Sequence, residues 1–253
     1  MENDKWKMIS KSQIIDHSSL RILLWDLDGT LVRGKRFGAF KDYTVPMLEK
    51  VFGTAGCLHN LIVSGMTDLQ IVEEALRSEG ITRDHISPRI DELRRCYIDE
   101  MKRACGNGGQ IIEAMPGARE VLKGLNEHPR YASALLTGNI EPAADLKLEL
   151  TGLAEFFSLP GAFGDESFDR RDLPAIAARR INEHLGANLQ PEQFIVIGDT
   201  PNDIACARHF GARVVSVATG RIHSADILRE HEPDALLPDL LNAELVMRTL
   251  DDL

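Results

Sequence analysis

The sequence predicts an α/β fold: a parallel sheet covered by helices on both faces, with an α-helical module inserted after the first strand. Three observations carry this expectation. Short apolar runs of the buried-strand type recur along the chain. Helical patterns lie between the later runs. The stretch from about 34 to 113 breaks the alternation, with helical signals and no confident strand. Continuous apolar runs suit strands buried on both faces, and strands alternating with helices imply parallel pairing.

In chain order, residues 1–20 read as a polar lead-in, and Ile22-Leu23-Leu24-Trp25 is the first strand. Within the insert, Thr67-Asp68-Leu69-Gln70 has capping-box spacing. Leu69, Val72 and Leu76 then share one face, and Gly80 closes the helix. Residues 88–104 are charged and helix-compatible, and Gly106-Asn107-Gly108-Gly109 reads as a flexible hinge before a return to the sheet near Met115. Pro116-Gly117 opens a helix with Val121, Leu122 and Leu125 on its apolar face. Ala132-Ser133-Ala134-Leu135-Leu136 is the next strand, and Pro142 opens a helix with Ala143, Leu146 and Leu150 on one side. Ala177, Ile181 and Leu185 recur at helical spacing, with Gly186 as the stop. Phe194-Ile195-Val196-Ile197 and Val214-Val215-Ser216-Val217 complete the main strands, and Ala235-Leu236-Leu237 is a weaker one. This gives a core domain of residues 1–33 and 114–253 and a helical module of 34–113.

The 253 residues carry 43% hydrophobic and 27% charged residues, enough to bury a core and too apolar for disorder. A formal net charge of -10 makes non-specific nucleic-acid binding a poor expectation, because such binding relies on Lys and Arg at the phosphates. An anionic substrate must instead be drawn by a local positive feature, a metal or a placed Arg. Cys57, Cys96, Cys105 and Cys206 form no C-x-x-C pair and read as reduced thiols of a cytoplasmic protein. No signal peptide is expected from the polar N-terminus, and no membrane partner, because no stretch nears the roughly 18 apolar residues of a span. A monomer or homodimer is expected.

In open parallel sheets, ligands bind at the carboxyl ends of the strands. The runs there are followed by Asp26-Leu27-Asp28-Gly29-Thr30, by Thr137-Gly138-Asn139, and by Gly198-Asp199-Thr200-Pro201-Asn202-Asp203. Each has an ordinary explanation. Asp, Gly and Thr make turns, and Thr200 can cap a helix with Pro201 at its first position and Asp203 at its third. Together, however, Asp26, Asp28, Asp199 and Asp203 gather negative charge at one sheet edge, which a hard cation such as Mg²⁺ relieves. Asp26 at the strand end can act as a nucleophile. Asp28, two residues on, can exchange a proton with a leaving group and then with water.

Asp26-Leu27-Asp28-Gly29-Thr30-Leu31 after an apolar strand resembles the first signature of the haloacid dehalogenase superfamily. Leu135-Leu136-Thr137-Gly138-Asn139 is similar to its second, and Gly198-Asp199-Thr200-Pro201-Asn202-Asp203 to its fourth. The resemblance spans about 21–240. It implies a core of that superfamily's Rossmann-like type with a helical cap of its first class, similar to phosphoglycolate phosphatases. Asp26 would then attack phosphorus and form an aspartyl-phosphate. Asp28 would be the acid/base and bind Mg²⁺ through its carbonyl, Thr137 and the backbone near Gly138 and Asn139 would hold phosphate oxygens, Asp199 would ligate the metal, and Asp203 would support it. The implied substrate is a small phosphorylated metabolite.

The third family motif supplies a Lys or Arg, often as Lys-Pro, and here the chain reads Asp169-Arg170-Arg171-Asp172-Leu173-Pro174 without a Lys. Counting back from Pro174 points to Arg171 and other alignments to Arg170, so both are candidates for the phosphate site. The second Asp of the first motif argues for phosphoryl transfer over carbon–halogen cleavage. Arg33, Lys35 and Arg36 read either as contacts to a substrate tail or as a solvated basic loop. Ser64-Gly65-Met66-Thr67 resembles a substrate-facing cap loop. Two alternatives remain: a phosphosugar mutase of the β-phosphoglucomutase type, and a non-enzymatic phosphoacceptor module, against which the insert and Asp28 both argue.

Overall fold

A computed structural model describes residues 19–106 and 111–253. The expected hinge falls largely on 107–110, outside the described residues, as does most of the polar lead-in. Five strands form one all-parallel sheet: β1 (Arg21–Trp25), β4 (Tyr131–Leu135), β5 (Phe194–Gly198), β6 (Arg213–Val217) and β7 (Ala235–Leu237), in the order β4-β1-β5-β6-β7. β1 lies between β4 and β5, with Ile22 opposite both Ala132 and Phe194.

Period-two alternation sends each strand's side chains to two separate cores. Leu23, Trp25, Ile195, Ile197, Val215 and Val217 enter one, against α5 (Ala118–Glu127), α6 (Glu141–Thr151) and α10 (Ala243–Asp251). Ile22, Leu24, Phe194, Val196 and Val214 enter the other, against α7 (Leu173–Leu185), α8 (Pro201–Phe210) and α9 (Ala225–Glu230). This is why the runs show no alternation: both faces are covered. At roughly 1.5–3 kcal/mol per fully buried large apolar side chain, the two layers supply the main drive for folding.

The insert leaves and re-enters the sheet through a ribbon that the sequence did not reveal. β2 (Val32–Gly34) and β3 (Ile112–Ala114) pair antiparallel, with Arg33 opposite Glu113. Between them lie α1 (Lys41–Phe52), α2 (Asp68–Leu76), α3 (Arg83–Ile86) and α4 (Ile90–Gly106). Thr67 caps α2 by accepting from the Gln70 N–H at 3.1 Å, as the capping spacing suggests. α1 packs on α4, with the Tyr43 and Tyr97 rings edge-to-face at 5.2 Å. The apolar residues of these helices belong to the same cluster as Ala143, Ala144 and Leu148 of α6, so insert and sheet share one hydrophobic cluster. Among the described residues no helix is long and apolar enough to cross a membrane.

Candidate active site

The three loops singled out by sequence meet at the carboxyl edge of β1, β4 and β5. Asp26 directly follows β1, and its N–H is held by the Ile197 carbonyl of β5 at 2.8 Å. The chain then turns sharply: Leu31 and Val32 both donate to the Leu27 carbonyl, and Gly29 donates to the Val32 carbonyl. Gly29 has φ +97°, the left-handed region, and a Cβ there would fall on the Asp199 carboxylate. The turn therefore requires glycine for its conformation and for the room it leaves Asp199.

Asp26, Asp199 and Asp203 are buried and each offers a carboxylate oxygen within 4.8 Å of the others. Burial, reinforced by Asp203, pushes the Asp26 carboxyl up to about 7 against the pull of Arg170. Burial and the Asp26 and Asp203 charges likewise raise Asp199 well above the usual carboxylate range. Asp199 Oδ1 accepts from the Thr30 hydroxyl at 3.1 Å. Asp203 Oδ2 accepts from the Thr200 N–H at 3.0 Å and from the Thr200 hydroxyl at 2.7 Å, which closes a capping box on α8. The capping and charge-cluster explanations of Asp203 therefore both hold, one for each carboxylate oxygen.

The cation among these carboxylates is Arg170. Its Nη2 lies 2.6 Å from Asp26 Oδ1 and 2.6 Å from Asp203 Oδ1, and its Nη1 donates to the Gly65 carbonyl at 3.4 Å. Its Nε has no partner among the described residues. Arg171, the other candidate, turns outward onto the Asp169 carboxylate, with its Nη2 2.6 Å from Oδ2 and its side chain 57% exposed. The neighbouring turn explains the divergence: Asp169 also accepts from the Arg171 N–H and so holds that residue locally. Of the two candidates, the structure brings Arg170 to the carboxylates and leaves Arg171 on Asp169.

Asp28 sits apart from the buried triad, with its side chain 47% exposed. Its Oδ2 accepts from Asn139 Nδ2 at 2.7 Å and from Lys147 Nζ at 2.5 Å. Lys147 also donates to Asn139 Oδ1 at 2.6 Å, and Asn139 Nδ2 reaches the Thr137 hydroxyl at 2.8 Å. Thr137, Asn139, Lys147 and Asp28 thus form one hydrogen-bonded set. Burial acts to lower the Lys147 pKa, but Asp28, with Tyr43 and Asp68 behind it, outweighs burial and leaves it raised. Sequence reading missed Lys147. The face expected for α6 was Ala143, Leu146 and Leu150, whereas the buried face is Ala143, Ala144, Lys147 and Leu148. A lysine four residues after Ala143 on a buried stripe was the available signal.

The loop before α2 closes over this edge. The Asp68 N–H donates to the Gly138 carbonyl at 2.6 Å, Asp68 Oδ2 accepts from the Ile140 N–H at 2.8 Å, and Asn202 Nδ2 donates to the Ser64 carbonyl at 3.2 Å. A Cβ on Gly138 would strike the Met66 carbonyl, so this approach also depends on glycine. From α4, Arg94 Nε pairs with Asp165 Oδ2 at 2.5 Å. Arg33 and Arg36 do not reach the site: Arg33 pairs with Glu113 across the ribbon, and Arg36 pairs with Asp42.

The chemistry of the donors fits a small hard cation. Three carboxylates are close enough to repel, two of them are raised in pKa, and no hydrogen bond occupies Asp199 Oδ2 among the described residues. All the donors are oxygens, which suits Mg²⁺.

Comparison with known proteins agrees with this arrangement. Residues 23–208 match the family of haloacid dehalogenase-like hydrolases. A phosphoglycolate phosphatase of Vibrio vulnificus (strain YJ016) is 26% identical over 245 residues, covering 90% of this chain and 97% of that one. The pyrophosphatase PpaX of Oceanobacillus iheyensis is 22% identical over 224 residues, covering 88% and 94%. Among solved structures, that of a predicted phosphoglycolate phosphatase from Haemophilus somnus 129pt superposes with a TM-score of 0.60 at 20% identity, covering 91% of this chain and 99% of that one. With the family match spanning most of the chain and the same fold in solved relatives, this protein belongs to the haloacid dehalogenase-like hydrolases.

Proposed function

We propose that the protein is a Mg²⁺-dependent phosphatase that hydrolyses a small-molecule phosphomonoester through an aspartyl-phosphate on Asp26. The observation that carries this reading is the sorting of two carboxylates, two residues apart, into different surroundings. Asp26 is buried beside Arg170 and Asp199, and Asp28 is half-exposed and held by Asn139 and Lys147. A nucleophile must be fixed and shielded, whereas a proton donor must reach a leaving group and then water.

In the proposed reaction a carboxylate oxygen of Asp26 attacks phosphorus as the bond to the leaving oxygen breaks. Asp28 gives its proton to that oxygen. Asp28 then takes a proton from water as the water oxygen attacks the aspartyl-phosphate, releasing inorganic phosphate and restoring Asp26. Arg170 offsets phosphate charge. Thr137, Gly138 and Asn139 line the phosphate side. Asp26, Asp199 and the Asp28 carbonyl would hold Mg²⁺, with Asp203 supporting through Arg170. The ion would supply Lewis-acid polarisation of the phosphoryl group. The insert of 34–113 serves as a cap that excludes water from the acyl-phosphate.

The names of the relatives suggest where to look first for substrate: 2-phosphoglycolate and pyrophosphate, within a panel of phosphorylated metabolites. The test is phosphate release with Mg²⁺ and with EDTA, for the wild type and for Asp26→Asn. Release lost in both controls is expected. Release that persists in Asp26→Asn would refute the nucleophile assignment. A stable phosphoenzyme with isomerised product and little free phosphate would turn the reading to a mutase.

A further inference from the structure

We infer that Lys147 is a positioning residue for leaving-group protonation: with Asn139 it grips Asp28 by one carboxyl oxygen and so presents the other to the substrate. This rests on the phosphatase reading and deepens it. Lys147 lies on α6, remote in sequence from Asp28, and its side chain is only 4% exposed. Lysine is seldom buried to that extent without a reason, because its ammonium must be compensated. Among the described residues its ammonium donates to Asp28 Oδ2 and Asn139 Oδ1. Asn139 Nδ2 completes a three-membered ring of contacts by donating to the same Asp28 oxygen.

The geometry has a chemical consequence. Both donors converge on Oδ2, and no protein donor engages Oδ1 among the described residues. An oxygen receiving two N–H groups is the wrong place for a transferable proton. The proton passes through Oδ1, whose direction is fixed because the carboxyl group is clamped at its other oxygen. The carboxyl is otherwise half-exposed on a turn and would be free to rotate. Placing it before the reaction removes that freedom from the activation step. Arg170 does not share this role, since it contacts Asp26, Asp203 and the Gly65 carbonyl.

A series of para-substituted phenyl phosphates separates this role from a merely structural one. The 4-nitrophenolate leaving group departs without help, whereas phenolate and 4-methoxyphenolate need a proton. The measurement is kcat/KM for 4-nitrophenyl, phenyl and 4-methoxyphenyl phosphate in the wild type, Lys147→Met, Asp28→Asn and the double variant. Because kcat/KM reports steps up to phosphoenzyme formation, the later role of Asp28 does not obscure it. Lys147→Met is expected to cost less than about 3-fold on 4-nitrophenyl phosphate. On the poorer leaving groups it should cost about 10- to 100-fold, part of the 10²–10⁴ that general acid catalysis typically supplies. Asp28→Asn should show a steeper dependence, and the double variant should be no steeper than Asp28→Asn alone. If Lys147→Met does not fold, Lys147→Gln, which keeps a donor but no charge, should shift the slope in the same direction by less.

An equal loss across the series, or an unchanged slope in a folded variant, overturns the inference while leaving the phosphatase reading intact. Absence of Asp26-dependent turnover in the wild type removes the reading and the inference together.

Discussion

Removing Arg170 tests how the site tolerates its own charge. The guanidinium is buried, and a single nitrogen bridges Asp26 and Asp203 at 2.6 Å each. Arg170→Met keeps much of the apolar stem and deletes the charge. Taking one partner from a buried ion pair costs about 3–5 kcal/mol, because the remaining charge is left uncompensated. At about 2–4 °C per kcal/mol for a chain of this size, the metal-free variant should melt roughly 6–20 °C below the wild type. The pH dependence has a definite sign. Asp26 already titrates at about 7 with Arg170 beside it, well above the ordinary 3.8. Without the cation the folded state holds that proton more tightly still, and the unfolded state does not. Stability therefore falls as pH rises through that range, and it falls more steeply in the variant. Thermal unfolding in EDTA at pH 8 and pH 5.5 should show a large deficit at pH 8 that shrinks at pH 5.5. Arg171→Met, which loses only an exposed local pair, should melt with the wild type. Equal melting of Arg170→Met and wild type at pH 8, or a larger deficit at pH 5.5, would refute the reasoning.

Other expected outcomes come from the same geometry. Gly29→Ala combines a left-handed backbone with a Cβ placed on the Asp199 carboxylate. It should abolish activity and weaken Mg²⁺ binding measured by calorimetry, and wild-type affinity would count against Asp199 as a ligand. Thr67→Ala removes the α2 cap and should cost about 1 kcal/mol by urea unfolding; no change would mean the cap is supplied by other groups. Burial raises Asp68 from 3.8 to about 7, so its folded form retains a proton the unfolded chain has lost, and its contribution to stability erodes as pH rises from about 4 to 7. Asp68→Asn keeps an acceptor for Ile140 N–H and should gain on the wild type between pH 5 and pH 8. Parallel melting curves would contradict that.

The legibility of this fold depends on how far each feature announces itself locally. The sheet strands were readable because both their faces are buried, as the alternate residues of β1 and β5 show. The ribbon of β2 and β3 was not, because each strand is three residues long and is stabilised by the other, with the charged pair Arg33 and Glu113 facing across it. The acidic loops were legible because every loop that leaves a parallel strand emerges at the same carboxyl edge of the sheet. Arg170 and Arg171 could not be told apart by spacing, since the difference is made by the Asp169 turn. Lys147 was obscured by the usual rule that lysines face water, which led the stripe on α6 to be drawn through Leu146 and Leu150.

The two cations explain how a cluster of acids can be built at all in a chain of net charge -10. Asp26 and Asp28 are too close in sequence to be given separate elements, so their environments must be made by residues brought from elsewhere. Arg170, at the entrance to α7, balances the buried side; Lys147, on α6, engages the open side. Arg170 meets Asp26 at Oδ1 and Lys147 meets Asp28 at Oδ2, so each cation compensates its aspartate through a single oxygen. Under the proposed chemistry, the division of labour between neighbouring aspartates is written less in their own motif than in the two basic side chains that reach it from the far side of the sequence.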